Sequence, residues 1–289
     1  MLTANEHFKA RFGCKMYKAS ISFTNTCPNR DGTKGTGGCI FCSAGGSGEF
    51  ASCVEKSITE QIGEAISRVE KKAGPGAGYI AYFQSFTNTY CSPERLAAAM
   101  DEAILHPRVK AVSIATRPDC LPESIVEVIY ERTSKIPVYV ELGLQTSNDE
   151  TAKLINRCYE TREYDDAVSR LKEAGVNVIT HVIFGLPEET EEQMLESVRH
   201  CVSAGTDGIK FTCLYVLKDT VLERMWRAGE FEVLGQEEYF DIVEKAIGLL
   251  PPDTVIHRLT GDGPKKLLLA PMWTADKRGV INYINRRFA

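Results

Sequence analysis

The chain has 289 residues, 43% of them hydrophobic, with a formal net charge of −5 and ten cysteines. That is ample for one large α/β core, and the acidic balance on its face speaks against a nucleic-acid partner. No run of about 18 apolar residues occurs and residues 1–11 are polar, so neither a membrane helix nor a secretory signal is expected, and the scattered cysteines read as reduced cytoplasmic thiols.

From residue 16 onward, short apolar runs alternate with amphipathic segments, the pattern of parallel strands joined by crossover helices. Strands are predicted over 16–23, 79–84, 110–115, 138–142, 177–184 and 208–216, with a further one starting at 255. Ser57-Ile58-Thr59-Glu60 reads as a capping box opening a helix to about residue 72, and Ser92-Pro93 opens the next. Helices are also predicted over 121–132, 149–158 and 163–174, the last stopped by Gly175, and Thr190-Glu191-Glu192-Gln193 caps another. No repeat, low-complexity segment or linker interrupts the series. The chain 1–289 therefore reads as one α/β domain, with a core over about 16–260 and a basic extension over about 261–289.

In βα-barrels the chemistry sits at the C-terminal ends of the strands. The first strand empties there into a loop holding Cys27, Cys39 and Cys42, spaced by eleven residues and then by two. Three soft thiolates without a fourth suit an iron–sulfur cluster that keeps one iron open, whereas a closed zinc site wants four ligands and no second Cys-x-x-Cys exists. Glycines 32, 35, 37 and 38 give the arc between the cysteines the backbone freedom to bend round a cluster, and Phe41 is placed to shield it from water. The bland alternative is three structural thiols crowded together. Other strand ends deliver the uncharged polar run Gln84-Ser85-Phe86-Thr87-Asn88, then Thr116-Arg117-Pro118-Asp119, then Glu141 to Thr146. Arg157 alone reads as an exposed helical arginine and His181 as a packed strand histidine; Gly261 and Gly263 read as turn glycines. The remaining thiols, Cys53, Cys91, Cys120, Cys158, Cys201 and Cys213, read as core or incidental, and Cys14 has no assigned role.

Charge is unevenly spread. Residues 265–289 hold Lys265, Lys266, Lys277, Arg278, Arg286 and Arg287 against Asp276, a surplus of +5 that leaves −10 on the rest. With Lys9, Arg11, Lys15 and Lys18 near the N-terminus, two basic ends on an acidic body are consistent either with a phosphate-tracking patch or with solvated tails. Tyr283 and Phe288 beside the last arginines are placed to stack on RNA or to pack a helix.

The cysteine loop, with an aromatic residue before its last cysteine, resembles the cluster motif of radical S-adenosylmethionine (SAM) enzymes. The wide first gap, together with Thr116-Arg117-Pro118-Asp119, is similar to the branch that includes the catalytic subunit of Elongator. Phe23-Thr24-Asn25-Thr26-Cys27-Pro28-Asn29-Arg30-Asp31-Gly32 and His257-Arg258-Leu259-Thr260-Gly261-Asp262 look like the bacterial YhcC/YtqA-type proteins.

This resemblance implies a partial (β/α)6 TIM-type barrel in which Cys27, Cys39 and Cys42 hold a 4Fe–4S cluster whose open iron chelates SAM. The segment Gln84, Ser85, Thr87, Asn88 takes the place of the usual Gly-Gly-Glu element at the SAM amino group, from which it departs. Gln145 matches a position that reaches the SAM ribose, Arg157 one that pairs with the SAM carboxylate, and His181 stands near a ribose-binding Asp of the relatives. Arg117 and Glu141 join this cofactor-binding set. The implied chemistry is reductive cleavage of SAM to a 5′-deoxyadenosyl radical, with electrons from a partner such as flavodoxin or ferredoxin. The implied substrate is a wobble-uridine side chain of tRNA, converted from carboxymethylaminomethyl- to aminomethyl-uridine. Competing expectations are a radical SAM enzyme for a small metabolite or porphyrin-like acid, a non-catalytic iron–sulfur electron-transfer or sensing protein, and a zinc-stabilised RNA-binding module.

Overall fold

The computed structural model describes residues 1–46, 54–261 and 263–288; Cys53, Asp262 and Ala289 lie outside them. In chain order the elements begin with β1 (Leu2–Thr3), α1 (Ala4–Phe12) and β2 (Met16–Ile21), followed after the cysteine loop by α2 (Ile58–Ala73). Then come β3 (Gly78–Phe83), α3 (Pro93–Ile104), β4 (Val109–Thr116), α4 (Glu123–Thr133), β5 (Val138–Gln145), α5 (Asp149–Leu154) and α6 (Thr161–Glu173). The chain continues through β6 (Asn177–Phe184), α7 (Glu191–Ala204), β7 (Gly208–Cys213), β8 (Val216–Leu217), α8 (Val221–Arg227), α9 (Gln236–Gly248), β9 (Val255–Arg258), β10 (Leu268–Ala270) and α10 (Lys277–Arg287).

Eight strands form one sheet in the order β1-β9-β7-β6-β5-β4-β3-β2. Every pairing in it is parallel. This is the curled, partial TIM-type barrel, six strands in sequential order extended by β9 and β1. The predicted capping boxes exist: Ser57 Oγ accepts from the Glu60 amide while Glu60 accepts from Ser57, and Thr190 and Gln193 do the same. Two segments differ from expectation. The helix read over 149–158 stops at Leu154, because Asn156 and Cys158 turn to positive φ. The strand read over 208–216 breaks after Cys213, and Val216–Leu217 pairs antiparallel with β10 instead.

Side chains alternate across the barrel wall, so one set of each strand packs outward under the helices. Ile114, Val140, Leu142, Val178 and Phe211 are fully buried there, each contributing on the order of 1.5–3 kcal/mol. The inward set is layered. A floor is made by Ile80, Ala111, Tyr139 and Ile179, which cluster with Phe8 of α1. The Phe8 ring meets Tyr139 and His257 edge-on, with centroids 5.7 and 5.6 Å away. One turn nearer the strand ends the inward residues become polar: Tyr82, Ser113, Glu141, His181 and Lys210. The cysteine loop lies above them.

Candidate active site

Cys27, Cys39 and Cys42 line one cavity of about 340 Å³ that runs down to Tyr82, Glu141, His181 and Arg258. Cys39 and Cys42 are hydrogen-bonded to each other; that bond and burial raise the Cys39 thiol, while the same bond, with Arg30 nearby, lowers Cys42. The loop carrying them is held by named contacts. Asn29, fully buried, donates from Nδ2 to Cys39 Sγ at 3.6 Å and to the Asn156 carbonyl, and Asn156 Nδ2 returns to the Gly38 carbonyl at 2.8 Å. Ile40 N donates to Ile155 O at 3.1 Å. Gly35 has to be glycine, because a Cβ there would stand 2.3 Å from Asn29 Oδ1 and 2.8 Å from Cys158 Sγ.

A second latch joins this loop to β4. Arg117 grips Asp119 through two hydrogen bonds of 2.9 Å, and Lys34 from the loop reaches the same carboxylate at 3.0 Å. Burial works against both charges, yet Arg117 and Lys34 keep Asp119 below the usual carboxylate range. Arg117 and Arg157 lie on Tyr159, at 4.9 and 4.2 Å from its ring centroid.

The structure sorts the expected SAM contacts. Gln84, Thr87, Arg117, Glu141, Gln145 and His181 line the cavity. Ser85 and Asn88 do not; Ser85 is bonded to Ser22 at 2.7 Å, and Asn88 donates to the Phe83 and Ala115 carbonyls. Arg157 lines the cavity but is spent. Its five N–H groups go to the carbonyls of Leu144, Thr146 and Tyr159, to Asp149 and to Thr161, so no donor is left for a SAM carboxylate. The expected carboxylate role is corrected to that of a brace for the end of β5.

Glu141 is likewise engaged. It accepts from Lys18, Lys210, Ser113 at 2.7 Å and His181 at 2.9 Å. Burial would raise its carboxyl, but Lys18 and Lys210 hold it well below the ordinary value. Burial and neighbouring Lys210 push His181 down to about 3, so it is a neutral imidazole in this network. Lys210, Tyr159 and Arg258 are site residues that the sequence reading left without a role, and Lys18, read there with the basic N-terminal end, is turned inward onto Glu141 instead; for Lys18 and Lys210, a lone lysine inside an apolar strand is the signal that was there to use.

These features define an open parallel barrel with a three-cysteine loop at its mouth, fitted to bind an iron–sulfur cluster. The chain belongs to the radical SAM superfamily: that family's model matches residues 21–201, and the Radical_SAM C-terminal domain matches 206–289. It is 39% identical over 284 residues to the uncharacterized protein YtqA of Bacillus subtilis, covering 98% of this chain and 88% of that one. It is 31% identical to YhcC of Escherichia coli K12, covering 92% and 85%. The archaeal Elp3 of Methanocaldococcus infernus, solved with its N-terminus deleted, superposes with a TM-score of 0.70 at 20% identity, over 94% of this chain and 63% of that one, which shows a shared fold. Members of the superfamily use a 4Fe–4S cluster and SAM, and these are the cofactors here. The residues present fit them: three thiols share one cavity with room below for a ligand. Among the described residues, no helix is long and apolar enough to cross a membrane.

Proposed function

We propose that this protein removes the carboxymethyl group from carboxymethylaminomethyl-uridine at the tRNA wobble position, leaving aminomethyl-uridine. The observation that carries the reading is the shared cavity: the cysteine thiols and a polar inner end with Arg258 line one space, in which, on this reading, the cofactor and the tip of a substrate side chain would meet. The tRNA substrate is supported by the likeness of the cysteine loop and of Thr116-Arg117-Pro118-Asp119 to the Elongator and YhcC/YtqA-type proteins.

In this reading Cys27, Cys39 and Cys42 ligate the cluster, and residues 1–289 act as one unit. When bound, the cofactors would supply a 5′-deoxyadenosyl radical to take one hydrogen from the carbon beside the substrate carboxylate. Loss of one further electron, returned to the oxidised cluster, would leave an imine, and its hydrolysis by water would release the two-carbon fragment as glyoxylate and leave aminomethyl-uridine. Gln84 and Thr87 contact the amino-acid end of SAM, and Gln145 and His181 its ribose. Phe41 and Tyr159 keep water from the reacting centre. Neutral His181 donates to Glu141 from Nε2, so it orients without carrying charge. Flavodoxin or ferredoxin supplies electrons in the cytoplasm.

The test is an anaerobic turnover assay with reconstituted, reduced protein, SAM and total tRNA from a strain lacking it. The expected result is 5′-deoxyadenosine together with conversion of carboxymethylaminomethyl-uridine to aminomethyl-uridine in the digested RNA. Formation of 5′-deoxyadenosine with unchanged tRNA would refute the substrate while leaving the radical chemistry.

A further inference from the structure

Four guanidinium groups line the cavity, and three are committed elsewhere. Arg30 donates to the Ser43 and Ala44 carbonyls, Arg117 is bidentate on Asp119, and Arg157 is saturated. Arg258 differs. Among the described residues it donates one hydrogen bond, to Thr212 Oγ1 at 2.6 Å, and has no acidic partner.

Its direction follows from the backbone. Ile256 pairs with Ile209, but Lys210 pairs with Arg258, so the register skips His257. The bulge puts two consecutive side chains on the inner face: His257 against Phe8 in the floor, Arg258 one layer higher beside Lys210. There Lys18 and Lys210 already share Glu141, the carboxylate of that layer. Three basic side chains therefore meet one acid at the inner end of the cavity. Arg258 is well exposed to the cavity, and its planar fork matches a carboxylate.

We infer that Arg258, backed by the Lys18–Glu141–Lys210 group, forms a carboxylate-binding subsite that takes the acidic end of the substrate's side chain. The identity of that substrate rests on the function proposed above; the subsite itself rests on the geometry. Arg258 thus fixes which end of the side chain points to the floor and turns the carbon next to the carboxylate toward the cysteine loop.

The test uses reconstituted full-length protein with SAM and two synthetic anticodon stem-loops, one with carboxymethylaminomethyl-uridine and one with its uncharged carboxamide. Wild type is expected to bind the acid at least roughly tenfold tighter than the amide, as a charge-assisted pair implies. Arg258→Met should bind the two equally, Arg258→Lys should keep part of the preference, and the SAM affinity of both variants should match wild type. Equal binding of acid and amide by wild type, an undiminished preference in Arg258→Met, or a parallel loss of SAM affinity would each overturn the subsite. If wild type binds neither stem-loop, the tRNA reading fails and small probes decide: ligand-observed NMR with N-benzylglycine and its amide. Acid-selective binding that Arg258→Met abolishes supports the subsite, and its absence refutes it.

Discussion

Glu141 sets the charge balance of the barrel interior. It is fully buried, yet two lysines, a serine and a histidine converge on it, which is the condition under which a buried carboxylate stays ionised. His181 is tied to that balance. The unfolded chain protonates it near 6.5, whereas burial and Lys210 hold the folded imidazole down at about 3. Between those values the unfolded state binds the extra proton, so stability falls as pH falls. Replacing His181 by Gln removes this contribution. The stability advantage of wild type over His181→Gln should therefore shrink by about 1.4 kcal/mol for each unit lowered from about pH 6 to about pH 4. Urea unfolding at several pH values measures it, and parallel curves for the two proteins would show that the imidazole titrates normally. Residue identity alone did not reveal this network, since Lys18, Glu141, His181 and Lys210 lie far apart in sequence and only the strand register gathers them.

At the scale of elements, the strand ends are where local rules bend. Phe86, Gln145, Asn156 and Cys158 all adopt positive φ, and all sit around the cysteine loop. The α5-to-α6 connection is a staple: Asn156 holds Gly38 and Thr36, and Arg157 holds the end of β5. Asn156→Ala loses both amide bonds and strains a residue with φ of 53°. It should lower stability by roughly 1–3 kcal/mol and reduce the iron retained after reconstitution. Asn156→Gly, free of the strain, should still retain less iron. Full iron content in both would remove the staple from any role in holding the cluster. The strands and caps were legible because periodicity and capping chemistry are local. Arg258 was not, because simple alternation from Ile256 puts His257 inward and Arg258 outward, and a bulge leaves no mark in composition.

For the molecule as a whole, the layers run from apolar floor to charged middle to thiol-lined mouth, and the basic C-terminal segment packs outside them. Arg287 is clamped by Asp241 and Glu244 at 2.6 Å, and Tyr283 and Phe288 pack on Phe240, so these three belong to helix packing and not to an RNA surface. The sequence carried the charge asymmetry plainly but not its neutralisation, which depends on α9 lying beside α10. An RNA role then falls to the residues outside the clamp. Arg278→Glu combined with Arg286→Glu should weaken tRNA binding more at low salt than at high salt while leaving the melting temperature near wild type. Unchanged affinity at low salt would dismiss the patch. The floor has one more consequence, which concerns the order of synthesis. β1 pairs with β9, and Phe8 completes the bottom layer with His257, so elements from opposite ends of the chain must meet before the sheet can be sealed. The N-terminal helix leaves the ribosome long before its partner strand; Ile80, Ala111 and Tyr139 become available to Phe8 earlier, but the His257 side of the layer stays open until β9 is made. Sealing the bottom is thus a late, long-range step in folding, and the growing chain is open to misassembly until β9 arrives.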